Sequence, residues 1–466
     1  SGGAESRGNS LATLGKLQHV KSTSDEMGKL LEDLAPYAEG LDPDSDDARL
    51  IKVATREYKK ATKVTTEWVG AFAEATTIGE VKWEEAKSKA DFKIFEPYLE
   101  KVVELRRQYS DFFKPYDHLY DPLLDDFEPG MKTAEVQAIF SHLRSRQVEL
   151  VKAIGEKPQV KDDFLHLDYS VEEQRAFGVE VSTRIGFDWK RGRQDVSAHP
   201  FTTSFGPGDV RMTTHFHADQ VASAVFSTIH ETGHALYEQG VSTRLLRTPL
   251  CNGASMAVHE SQSRMWENIV GRSMPFWQYF YPDLQKRFPS QLGNVDLKSF
   301  YRAINKVSPS LIRTEADEAT YNLHIMLRME LEIALIEGSL QVKDLPAAWN
   351  DRMKDYLGIT PPDDRKGVLQ DVHWSGGMIG YFPTYALGNL VSAQLWEVIL
   401  KAMPDIESQF SKGKFDGLLG WLRTNIHQHG AKFEPQELVK RVTGNTIDPQ
   451  PYLHYLETKY GEVYGL

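Results

Sequence analysis

Helix-favouring segments, most of them long, take up nearly all of this chain and leave little from which to build a sheet. Apolar residues recur at helical spacing, or the composition favours helix, over 24–39, 46–78, 81–114, 133–155, 170–186, 218–240, 255–272, 296–304, 310–337, 344–356, 382–403 and 415–428. Start signals support several of these. Thr133 precedes "AEVQAIF", and Ser170 is followed by Glu173 at capping-box spacing. The clearest strand signal is "DVRMTTHF" at 209–216, rich in Val, Thr and Phe after the turn-forming "GPGD". The expected fold is mostly α, with a small β-sheet.

The segment 218–240 contains "STIHETGHALYEQG", in which His230, Glu231 and His234 form H-E-x-x-H. Residues four apart share a helix face, so the two imidazoles can reach one ion. Glu231 is rotated by about 100° from His230, beside such an ion as a base rather than as a ligand. The plainer alternative is a pair of core histidines. A catalytic zinc site needs a third protein ligand and one open position. "VHESQSRMWEN" offers Glu260, and the apolar, small surroundings "GASMAVHES" favour its pointing inward. Glu267, two turns further on a similar face, is the rival.

Composition narrows the partners. A net charge of −12 with no basic stripe argues against nucleic acid. One cysteine, Cys251, rules out an internal disulfide framework and suits the reducing cytoplasm. "SGGAESRGNS" has no signal-peptide core. Trp374 to Trp396 carries no charge, but Gly376, Gly377, Gly380, Pro383, Asn389, Ser392 and Gln394 make it a buried helix rather than a membrane span. With no linker, low-complexity run or repeat, residues 1–466 are expected to form a single catalytic domain.

Further stretches carry a resemblance: "HPFTTSFGPGDVRMTT" at 199–214, "IRTEADE" at 312–318 and "GVLQDVHWSGGMIGYFPTY" at 367–385. With "HETGH" and "HESQ", in this order and spacing, they resemble the motif set of the carboxypeptidase Taq family. Weaker resemblance extends upstream through "WEEAKSKADFKIFEPYLEKVVELR" and "YDPLLDDFEPGM". The chain departs from the family in two places. A Trp-Asp pair near a first helix is missing, as if a short N-terminal segment were cut away, and His215 stands where a basic residue often follows D-x-R-x-T-T.

The resemblance implies long helices forming a deep substrate groove, a commonly dimeric state, and removal of single amino acids from free peptide C-termini. The expected site has His230, His234 and Glu260 as ligands of one divalent ion per chain, zinc first and cobalt or another ion as alternatives. Glu231 is the expected general base. His373, Tyr381 and Tyr385 are the expected oxyanion donors, Tyr385 first. The planar guanidinium of Arg313 suits the terminal carboxylate, with Arg211 as runner-up. The bland alternative for Arg313 is a helical pair with Asp317. His199 and Gln370 are expected to line the site or orient ligands. Two other readings compete: an H-E-x-x-H oligoendopeptidase or dipeptidyl carboxypeptidase, and a non-catalytic metal-stabilised scaffold that binds peptides. An intact Glu231 argues against the scaffold.

Overall fold

The computed structural model describes residues 3–466, and it is mostly helical with one three-stranded sheet. The chain forms two compact units. One holds the residues up to Arg144 with Pro309–Ala316 and Tyr321–Pro383; the other holds Ser145–Ser308, Asp317–Thr320 and Thr384–Leu466.

Helix boundaries depart from the periodicity where local capping decides. The stretches 46–78 and 81–114 become three helices, Asp46–Ala61, Thr66–Lys89 and Glu96–Asp111. The Thr65 hydroxyl accepts from the Trp68 amide and restarts the chain there, and Ala90 at φ 54° ends that helix in the left-handed region. The helix expected over 310–337 begins only at Glu318. The Asp317 carboxylate accepts from the Ala319 and Thr320 amides, fixing the start, while Arg313–Glu315 is a single 3-10 turn. The periodicity also misses Ala4–Ser22, Met274–Arg287, Pro435–Thr443 and Gln450–Tyr464. Gly8 and Gly15 dilute the first of these, and the other three carry Pro in the first turn, where it costs no hydrogen bond.

The sheet consists of β1 (Gly192–Val196), β2 (Thr202–Ser204) and β3 (Val210–Thr214), in the order β1-β3-β2. β1 runs parallel and β2 antiparallel to β3, with Gln194 and Thr202 both opposite Met212. Only β3 lies within the stretch that reads as strand. The other two are short, and alternation over three to five residues leaves little signal. The sheet braces the helix Val221–Gly240 through a buried hydroxyl ladder: Gln194 Nε2 donates to Thr214 Oγ1 (2.7 Å), which bonds Thr228 Oγ1 (3.0 Å).

The same helix meets Met256–Arg264 at Gly233. A Cβ there would stand 2.6 Å from Ser263 Cα and 2.8 Å from the Gln262 carbonyl oxygen. Only glycine permits this approach, which brings the two motif-bearing helices together. Gly233→Ala is therefore expected to lose about 1–3 kcal/mol of stability, because the obstructing atoms are backbone and cannot swing away. Thermal melting checks this, and an unchanged Tm would contradict it.

The uncharged stretch after Trp374 largely forms the helix Pro383–Ala402, with Leu387, Leu390, Val391 and Leu395 buried. Among the described residues no helix is long and apolar enough to cross a membrane.

Candidate metal centre and active site

His230 and His234 leave the helix Val221–Gly240 on one face, and Glu260 meets them from Met256–Arg264. One ligand atom from each lies within 4.8 Å of the others. Glu260 Oε2 stands 3.3 Å from His234 Nε2 and 3.6 Å from His230 Nε2. Its Oε1 accepts from Arg264 Nε at 2.7 Å, and the Ser263 hydroxyl reaches Oε2 at 3.0 Å. Two imidazole nitrogens and one carboxylate oxygen thus converge, the donor set that suits a divalent ion with an open position.

Glu267 takes a different place from the one the rivalry with Glu260 implies. Its Oε2 lies 2.8 Å from His230 Nδ1, on the far side of the ring from the cluster, and Arg264 Nη1 donates to it at 3.0 Å. Backbone bonding turns π-helical over Met265–Val270, so Glu267 sits on a locally rewound segment. A carboxylate at Nδ1 keeps the proton there and leaves Nε2 bare to bind a metal.

His234 has an analogous support. His259 Nδ1 lies 2.6 Å from His234 Nδ1, and His259 Nε2 lies 2.8 Å from Glu238 Oε1. One tautomer assignment satisfies the whole row: His259 donates to Glu238, His234 donates to His259, and His234 Nε2 stays bare. Sequence reasoning missed both residues. Glu238 nevertheless continues the His230, His234 spacing by another four, and His259 belongs to "HESQ".

Charge and burial are in tension here. Burial opposes the charge of Glu260, but Arg264 and the two imidazoles outweigh it and hold the carboxyl well below the usual carboxylate range. Burial likewise opposes Glu267, yet Arg264 and His230 hold it at about 2. Burial pushes His234 down to about 4, while for His230 the nearby Glu260 and Glu267 overcome burial and raise it.

Glu231 is 5% exposed, and burial raises its pKa. The Thr202 hydroxyl on β2 donates to its Oε2 at 2.7 Å and approaches its carbonyl oxygen at 3.0 Å. Sequence reasoning also missed Thr202, although it lies in the "HPFTTSF" stretch.

The remaining expected residues divide between the two units. Tyr385, His199 and Arg211 belong to the unit of the metal cluster; Arg313, Gln370, His373 and Tyr381 belong to the other. Arg211 is exposed, bound to Asp209 at 2.7 Å and laid over Phe205. His199 is exposed and Tyr385 half-buried at the start of its helix.

Arg313 is 3% exposed. It does not pair with Asp317 but donates through Nε (3.0 Å) and Nη2 (2.8 Å) to Asp371 Oδ1 and through Nη1 to the Tyr321 hydroxyl (2.9 Å). Arg328, fully buried, meets Asp371 Oδ2 at 2.6 Å. Two guanidinium groups thus converge on one carboxylate and, against the pull of burial, hold it far below the usual range. Gln370 fixes the loop around them, accepting from the Arg313 amide (2.9 Å) and donating to the Leu311 carbonyl (3.1 Å). The buried His373 ring lies 4.5 Å from Phe382 and 5.4 Å from Tyr381.

A family model described as carboxypeptidase Taq (M32) metallopeptidase matches residues 1–460. Thermostable carboxypeptidase 1 of Thermus thermophilus is 42% identical over 99% of this chain and 92% of its own length. Carboxypeptidase 1 of Bacillus subtilis is 38% identical over 100% and 92%. A crystal structure of the M32 carboxypeptidase from Deinococcus radiodurans R1 superposes with a TM-score of 0.94 at 42% identity, covering 100% of this chain and 93% of that one.

Proposed function

The chain belongs to the carboxypeptidase Taq (M32) metallopeptidase family, and from that premise we propose that it removes single amino acids from the free C-termini of peptides at the His230, His234 and Glu260 centre. The observation that carries the site is the convergence of those three ligand atoms beside a buried Glu231. Relatives named as carboxypeptidases favour this over an endopeptidase or a binding scaffold. The family model spans both compact units, which supports reading them as one catalytic domain. Zinc as the native ion rests on the His/His/Glu donor set. Homodimerisation rests on the resemblance, and a cytoplasmic location on the lone Cys251.

A bound divalent ion supplies Lewis-acid polarisation of the scissile carbonyl and acidifies a water molecule. His230, His234 and Glu260 would hold that ion, and each imidazole is kept in the right tautomer by its partner at Nδ1: Glu267 for His230, His259 and Glu238 for His234. Glu231 takes the proton of the attacking water and passes it to the leaving nitrogen, its carboxylate steadied by Thr202. Tyr385, with His373 and Tyr381 as the other choices, donates to the developing oxyanion. Arg313 binds the terminal carboxylate, and His199 and Gln370 are lining and orienting residues.

Mass analysis of products from one free-ended peptide tests the reading. Stepwise loss of single residues is expected, whereas internal fragments or dipeptides would favour the alternatives. His259→Ala is expected to weaken metal binding about 10–100-fold, because the His234 tautomer loses its support. Competition with a chelator measures this, and an unchanged affinity would remove His259 from the site.

A further inference from the structure

Glu332, in the helix Glu318–Glu337, is a carboxylate with no exposed surface. Three donors meet it: the Tyr120 hydroxyl on Oε2 at 2.5 Å, the Trp374 indole N–H on Oε1 at 2.7 Å and the Gly380 amide on Oε2 at 3.1 Å. Among the described residues no Lys, Arg or His nitrogen forms an ion pair with it. The cation whose charge bears on it is Arg106, which is paired with Asp126 at 2.9 Å and also reaches the Ile379 carbonyl at 3.4 Å.

Two of the three donors, Trp374 and Gly380, are the ends of one loop. His373 immediately precedes that loop and Tyr381 immediately follows it. At two points the loop packs tightly against its surroundings. Gly380, at φ 103°, approaches so closely that a Cβ would lie 2.3 Å from the Leu123 carbonyl oxygen. Gly377, at φ 72°, would place one 2.3 Å from the Phe72 ring. An apolar side chain at 332 would fill the same volume without desolvating a charge. A carboxylate does what such a residue cannot: it ties both ends of the loop to one rigid helix in fixed directions.

We propose that Glu332 is a positioning residue, whose ionised carboxylate clamps Trp374 and Gly380 and so holds the flanking His373 and Tyr381 in the arrangement used on substrate. The use on substrate rests on the function proposed above, with His373 or Tyr381 as an oxyanion donor; the clamp itself does not. Burial pushes Glu332 up to about 7, against the pull of Tyr120, Trp374, Gly380 and Arg106. Protonation removes the charge that strengthens all three bonds, and on Oε1 it sets an O–H against the donor-only indole N–H, so the clamp weakens as pH falls through neutrality.

The indole N–H resonance of Trp374, identified by its loss in Trp374→Phe, reports the clamp directly in 15N-labelled protein. It is expected to titrate near pH 7 and to lose that transition in Glu332→Gln. The same variant is expected to lower kcat on a free-ended peptide about 10–100-fold with little change in KM, since sub-ångström misplacement acts on the chemical step. An indole resonance that is the same in the wild-type chain and in Glu332→Gln overturns the clamp, and one that stays flat between pH 5 and 9 overturns its pH dependence. A titrating resonance with an unaltered kcat in Glu332→Gln overturns its role on substrate. If Glu332→Gln does not fold, Trp374→Phe decides: removing one of the two anchors of the loop must lower kcat while leaving KM nearly unchanged, and an unaltered kcat overturns the proposal. Absence of any single-residue release by the wild-type chain would instead refute the exopeptidase reading, leaving the indole titration to judge the clamp.

Discussion

Glu231→Gln is expected to keep its fold and its metal and to lose about 10²–10⁴-fold in turnover, the usual extent of a general base. Glutamine preserves the shape of the side chain and can still accept from the Thr202 hydroxyl, now 2.7 Å from Oε2. It has no basic lone pair for the proton of the attacking water. Burial makes the loss sharper, because a buried carboxylate binds a proton more readily than an exposed one and no other base among the described residues is held in its place. Metal content by elemental analysis and kcat by amino-acid release are the two measurements. A normal metal content with a rate reduced less than about tenfold would show that the proton goes elsewhere.

What the sequence disclosed and what it hid divide along one physical line. His230, Glu231 and His234 are legible because a helix turns fixed spacing into fixed direction. Glu260 and Glu267 are not separable that way, since seven residues return to nearly the same face. The structure separates them by which nitrogen of His230 each meets, Nε2 for Glu260 and Nδ1 for Glu267. That outcome depends on the close crossing at Gly233 and the π-helical turn that follows, both tertiary events. The row from His234 through His259 to Glu238 escaped the sequence reading: Glu238, on the metal face of its own helix, carried a signal at helical spacing, but His259 arrives across a loop. Arg313 shows the limit most plainly. The sequence offers Asp317, four residues away, as its partner; the fold supplies Asp371, which helical spacing cannot indicate, and uses Asp317 to start a helix instead. The same holds for the missed β1 and β2, whose pairing with β3 and not their own composition makes them strands.

Amidating the C-terminus of a substrate is expected to reduce its cleavage on the order of a hundredfold. An amide lacks the charge and one of the two acceptors that a guanidinium fork would engage, and hydrogen bonds to charged groups contribute about 1.5–3 kcal/mol each. Arg313 is the residue to which this is assigned, and its surroundings shape the test. Its Nε and Nη2 already bind Asp371 Oδ1, while Arg328 holds Oδ2, so two guanidinium groups share that carboxylate before any substrate arrives. A substrate carboxylate would add a second anion to this pair of cations. Arg313→Ala must therefore be judged by a ratio rather than a rate. Removing a buried guanidinium loosens the loop held by Gln370 for every substrate alike, whereas only free-ended peptides lose the specific interaction. The expected result is that the free-to-amidated preference collapses in Arg313→Ala and is partly kept in Arg313→Lys, which retains the charge without the fork. Equal cleavage of free and amidated peptides by the wild-type chain would refute the exopeptidase reading. A preference that survives Arg313→Ala would move the clamp to another cation, with Arg211 next in line. Arg211, however, would have to leave the exposed pair it makes with Asp209 at 2.7 Å.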